Sequence, residues 1–131
     1  MLGLDTNVLV RFLVRDHEMQ FQKAQRLIQR EVGSGRPVFV SMLVLLEAEW
    51  VLRSRYQLEK SAMAATISAM LDTTGFQFED EAATEEALYL WKDNAVEFAD
   101  CLIGAHHRRQ GCLATATLDA KAAKLPGFVL V

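Results

Sequence analysis

No stretch of the chain reaches the ~18 uninterrupted apolar residues of a membrane-spanning helix. Its first residues already read as folded structure, so no signal peptide is expected and the cytoplasm is the expected compartment. Cysteine is scarce as well. Cys101 and Cys112 are the only two, and they sit in apolar surroundings without metal-ligand spacing. Buried thiols in a reducing compartment are therefore expected, in place of a disulfide or a zinc site. An excess of basic residues is also missing: the formal net charge is -3, which argues against gripping nucleic acid by bulk electrostatics. It leaves room for carboxylates that bind divalent cations, because such a site lowers the net charge and its ions reverse the local sign. Neither a Walker-A loop nor a G-x-G-x-x-G turn is present, and no repeat, linker or low-complexity segment interrupts the chain.

What the chain does have is apolar residues, 51% of its 131, against 24% charged. One domain spanning residues 1–131 is expected, since a domain of this size hides about two-thirds of its unfolded surface. The apolar surplus hints that some of that surface is buried against a partner.

Strands and helices alternate. Met1 to Asp5 reads as a short strand ending in an acid, with Thr6 and Asn7 as N-cap candidates for a helix through Leu13. A polar turn over Arg15 to Gln20 precedes an amphipathic helix carrying Phe21, Ala24, Leu27, Ile28 and Val32, stopped by Gly33-Ser34-Gly35. Pro37 to Val40 reads as a second strand, and Ser41 caps a helix to about Arg55. A helix over Ser61 to Leu71, a strand over Phe76 to Phe78 and a helix over Glu81 to Lys92 follow. Next come a helix entered at Glu97 and ended by Gly111, a buried strand over Cys112 to Thr117, a short helix over Ala120 to Lys124 and a last strand from Phe128. This order predicts an α/β fold with a parallel sheet and one functional edge at the carboxyl ends of the strands.

Four acids stand out against this frame. Asp5 and Asp119 each follow a strand and precede a helix. Glu47 falls on the stripe Leu43-Leu46-Glu47-Trp50, which predicts a carboxylate needing a metal ion if it is buried, with an ion pair to Arg53 or Arg55 or a helix edge at the surface as the alternatives, while Glu49 lies off it toward Arg53. Asp100 shares a helix face with Ile103, Gly104 and His107, where Ile103 is expected to keep the face packed and Gly104 to admit a close backbone or ligand. Four carboxylates in one cleft make sense around a hard cation such as Mg²⁺, which takes oxygen ligands and can activate water against a phosphodiester. His106 and His107 sit in a basic helix end where complementing the helix dipole suffices. Glu81, Glu85 and Glu86 read as a solvated helix face. Arg53, Arg55, Arg108, Arg109, Lys121 and Lys124 could line an RNA path if the fold gathers them.

Leu4-Asp5-Thr6-Asn7-Val8-Leu9-Val10-Arg11, Leu45-Leu46-Glu47-Ala48-Glu49-Trp50, Phe98-Ala99-Asp100-Cys101-Leu102-Ile103 and Thr117-Leu118-Asp119 occur in that order along the chain. In this the sequence resembles the PIN-domain ribonucleases, specifically the VapC-type toxins of bacterial type II toxin-antitoxin modules. The resemblance implies an α/β/α sandwich with a central parallel sheet of about five strands. It also implies a Mg²⁺- or Mn²⁺-dependent endoribonuclease in which Asp5, Glu47, Asp100 and Asp119 hold the metal and Thr6, Asn7 and Thr117 support them. The implied partners are an RNA substrate, a cognate VapB-type antitoxin covering the active site, a second copy in a homodimer, and DNA only through the antitoxin. One departure is Glu97 where the family commonly has Asp, which leaves Glu97 as an auxiliary candidate.

Two rivals are weighed against this reading. An aspartyl-phosphate phosphatase would want a second acid two residues after the first, where Asn7 stands. A non-catalytic PIN-like or receiver-like binding module would have lost one of the four acids, or would show a phosphorylatable Asp and a late Lys.

Overall fold

In the computed structural model, which describes residues 1–131, every strand runs parallel to the one it pairs with. The chain divides into two compact units, Met1–Glu79 and Asp80–Val131.

In the first unit, β1 (Leu2–Gly3), β2 (Val38–Val40) and β3 (Phe76–Phe78) form a ladder in that order, with Leu2 opposite Val38 and Val38 opposite Phe76. The β-branched and aromatic content of β2 and β3 suits a pleated, half-buried surface. Helix α1 (Thr6–Leu13) packs on α2 (Glu18–Gly33) and α3 (Met42–Ser54), and α3 meets α4 (Lys60–Asp72). The turn expected to run to Gln20 is shorter, because the His17 ring accepts from the Gln20 N–H at 3.2 Å and starts α2 at Glu18.

In the second unit, α5 (Glu81–Lys92) packs along α6 (Phe98–Arg109), and β4 (Thr115–Thr117) pairs with β5 (Phe128–Leu130). The strand expected from Cys112 begins only at Thr115. Gly111, at φ 89°, ends α6 with its N–H on Arg108 O, and the Cys112 N–H returns to His107 O. These paired bonds make the left-handed helix stop that glycine favours, and they consume Cys112 in the turn. Cys101 is buried as expected, but Cys112 is exposed. The short helix expected over Ala120 to Lys124 is a 3₁₀ turn at Ala122–Lys124.

The expected roles of Ile103 and Gly104 are also corrected. Ile103 is 39% exposed, and a Cβ on Gly104 would collide with the Phe128 ring, so the missing side chain admits an aromatic ring of β5.

Asp80 anchors the second unit's first helix. Its carboxylate accepts the Ala83 N–H at 3.0 Å and pairs with Arg109 at 2.6 Å and His106 at 3.5 Å. Burial pushes this carboxyl up, yet the Ala83 N–H, His106 and Arg109 outweigh burial and hold it below its ordinary value of 3.8. A carboxyl depressed on folding adds stability above its unfolded value and forfeits it as pH falls through the folded one. Asp80→Asn keeps the capping oxygen but loses the charge, so it should cost about 1–2 kcal/mol at neutral pH. Urea unfolding of both proteins should show that deficit shrinking below about pH 4; a deficit constant down to strong acid would refute it.

Candidate active site

Asp5 follows β1 by two residues and is itself the N-cap of α1, its Oδ1 accepting the Val8 N–H at 2.9 Å. Thr6 and Asn7, expected to cap, are the first two helical residues. The capping duty uses one carboxylate oxygen, and Oδ2 stays free of protein donors. Asp5, Thr6, Asn7 and Glu47 line one cavity of about 460 Å³, together with Trp50 and Arg55.

The helical phase of α3 differs from expectation. Its buried face is Leu45, Ala48, Glu49 and Leu52, whereas Leu43 is 80% and Trp50 55% exposed and Glu47 is exposed beside them. The buried acid of this helix is Glu49, which accepts from Arg53 at 3.2 Å. Glu47 therefore needs no internal partner, and its carboxylate is accessible from the cavity it lines.

In the second unit, Glu97, Asp100, Asp119 and Lys121 line a cavity of about 510 Å³. Asp100 stands in the first turn of α6, where negative charge complements the helix dipole. Glu97 caps that helix without a side-chain hydrogen bond, which leaves its carboxylate uncommitted. Asp119 is fixed from both sides: its N–H donates to Thr117 Oγ1 at 3.0 Å and its Oδ1 accepts the Lys121 N–H at 2.8 Å. Thr117 is thus a positioning residue for Asp119. Burial raises the Asp100 carboxyl above its ordinary value; a backbone hydrogen bond at Glu97 opposes this, and the negative charges of Glu97 and Asp119 add to it. Such crowding is what a bound cation relieves.

The donors in both cavities are oxygens, with no thiolate and no imidazole among them. That chemistry fits Mg²⁺ or Mn²⁺ better than zinc or copper. No three His, Cys, Asp or Glu side chains come within reach of one ion. His106 and His107 have other occupations, His106 on Asp80 and His107 on Thr115 Oγ1 at 2.9 Å.

Of the cations considered for an RNA path, Arg53 is tied to Glu49, Arg108 to Glu86 and Arg109 to Asp80. Arg11, the last residue of the opening motif, is held by Asp16, Gln20 and Tyr56. Glu86, read as part of a solvated face, is the partner of Arg108 at 2.5 Å. No helix is long and apolar enough to cross a membrane.

A family model described as PIN domain matches residues 3–127. Among curated proteins, a VapC ribonuclease of Aquifex aeolicus (strain VF5) is 25% identical over 128 residues, covering 98% of this chain and 93% of the relative. Among solved structures, Mycobacterium tuberculosis VapC20, described as a sarcin-ricin loop cleaving toxin, aligns with 94% of this chain and 93% of its own, at 19% identity and a TM-score of 0.42.

Proposed function

The chain belongs to the PIN-domain family, and from that premise we propose that it is a metal-dependent endoribonuclease, the toxin of a type II toxin-antitoxin module. Asp5, Glu47, Asp100 and Asp119 are its acidic ligand set, and Mg²⁺ or Mn²⁺ its ion. The observation that carries this reading is that all four acids of the family's pattern are present and each borders a cavity. The family match runs through both units, which supports reading residues 1–131 as one PIN domain. A curated relative named as a VapC ribonuclease supports RNA as the substrate, and the VapB-type antitoxin partner follows from the resemblance to VapC-type toxins.

When bound, the ion supplies charge neutralisation on the phosphodiester and lowers the pKa of water. The chain's own residues do the rest. Asp5 offers Oδ2 while its other oxygen is pinned to α1, so the ligand is oriented before substrate arrives. Asp119 is oriented likewise by Thr117 and the Lys121 N–H. Leu43 and Trp50 give α3 an apolar outward face, which supports a homodimer.

The test is cleavage of RNA by the purified chain with Mg²⁺, with Mn²⁺ and with EDTA. Cleavage that persists in EDTA would remove the metal from the proposal, and no cleavage with either ion would remove the nuclease. Growth arrest on expression, relieved by coexpressing the adjacent small open reading frame, tests the toxin role. Thr117→Val, which deletes the acceptor for the Asp119 N–H, should slow cleavage about ten-fold or more. Thr117→Ser should restore it; equal rates for Thr117→Val and wild type would show that Thr117 does not position Asp119.

A further inference from the structure

Two cavities of the first unit share Asp5, Asn7 and Arg55. The one described above holds Glu47. The other, of about 510 Å³, runs beside α1 and α2 and carries the cations Arg11, Lys23 and Arg55. Arg11 is spent on Asp16, Gln20 and Tyr56. Lys23 and Arg55 make no ion pair and no side-chain hydrogen bond, in a unit where Arg15, Arg36 and Arg53 are each paired with a glutamate. Their neighbours explain this. One turn either side of Lys23 on α2 stand Met19, Gln20, Arg26 and Leu27, none of them acidic. One turn before Arg55, at the end of α3, stand Val51 and Leu52. Two cations with no acid one turn away on their own helices therefore line a cavity that also reaches Asp5.

We infer that Arg55 and Lys23 form a phosphate-binding subsite, holding an RNA backbone phosphate next to the one presented to Asp5; this rests on the nuclease reading above. A strand lying across Asp5 carries a phosphate on every nucleotide, so its neighbouring phosphates need a cationic surface on a chain of net charge -3. The planar guanidinium of Arg55 matches phosphate oxygens in bidentate fashion, and the Lys23 ammonium acts as a point charge. Arg55 borders both cavities, which suits a contact one nucleotide from the acids. Recognition of this kind reads backbone and not bases.

The test uses the full chain and the variants Arg55→Gln and Lys23→Gln, which keep the side-chain stems, with unchanged thermal midpoints as the folding control. Fluorescence anisotropy of a labelled single-stranded oligouridylate, measured in EDTA so that no metal-dependent cleavage occurs, reads binding apart from catalysis. Each variant should bind roughly three- to ten-fold more weakly whatever the RNA sequence, and should flatten the dependence of log affinity on log salt by about 0.7. In the cleavage assay KM should rise while kcat holds. Affinities and salt slopes equal to wild type would overturn the subsite while leaving the nuclease standing. So would variants that lose binding of a glutamate-rich peptide but keep that of RNA, since the cavity would then serve a protein partner. Cation-dependent RNA binding by a chain that cleaves nothing with Mg²⁺ or Mn²⁺ would sink the nuclease and keep the subsite.

Discussion

Asp5→Asn should abolish RNA cleavage and leave the protein about as stable as wild type. On the proposed reading the two effects separate because Asp5 has two duties on two oxygens. As the N-cap of α1 it accepts the Val8 N–H through Oδ1, and asparagine caps a helix about as well as aspartate. As the proposed metal ligand it would need the negative charge that asparagine lacks. Loss of the outer groups that merely orient a ligand typically costs 10- to 100-fold, so loss of a ligand's charge should cost at least about 100-fold. Asp5→Ala would remove both duties, adding a stability loss of about 1 kcal/mol that muddles the result. The measurement is the initial cleavage rate with Mg²⁺ beside the urea midpoint, for Asp5→Asn and for Asp100→Asn. Wild-type rates in both would end the assignment, and a rate loss matched by unfolding would reduce Asp5 to a cap.

That double role shows what the sequence carried and what it hid. The pattern strand, acid, helix was legible at Asp5 and Asp119 because a strand end, a polar residue and an apolar periodic run leave little choice of local structure. The residue doing the capping was not, since Asp5, Thr6 and Asn7 are all competent caps and only the start of α1 decides among them. In α3 apolar residues occur on every side, so two stripes fit the helical period equally and periodicity could not say which faces inward. The structure chose Leu45, Ala48, Glu49 and Leu52, and Glu47 became a candidate ligand for the opposite reason to the one first given: it is exposed on a cavity. All five strands were legible and all are parallel, in ladders of three and two. The Thr117 contact with Asp119 depends on a turn whose geometry no spacing rule supplies. Lys23 went unnoticed because an unpaired cation is marked only by the absence of acids one turn away, a signal that matters once a cavity is known to lie beside it.

The second large effect lies in packing. Phe98→Ala should destabilise the protein by about 3–5 kcal/mol, because Phe98 is fully buried and truncating a buried phenylalanine forfeits its transfer energy and leaves a cavity. Its ring meets Trp91 of α5 at 5.3 Å between centroids, tilted by 58°. The Trp91 indole N–H in turn donates to Val96 O at 3.0 Å, so the end of α5, the connecting loop and the start of α6 are held by one aromatic pair. Against a total stability of about 5–15 kcal/mol the loss is a large fraction, and the thermal midpoint should fall by roughly 10–20 °C. Asp100 follows Phe98 by two residues in the same first turn, so heat inactivation of cleavage should fall with the unfolding midpoint in Phe98→Ala. Asp100→Asn should do the reverse, abolishing cleavage with little change in midpoint. A Phe98→Ala protein that unfolds within a few degrees of wild type would mean that the Trp91 contact contributes little and that α6 is held in place by other means.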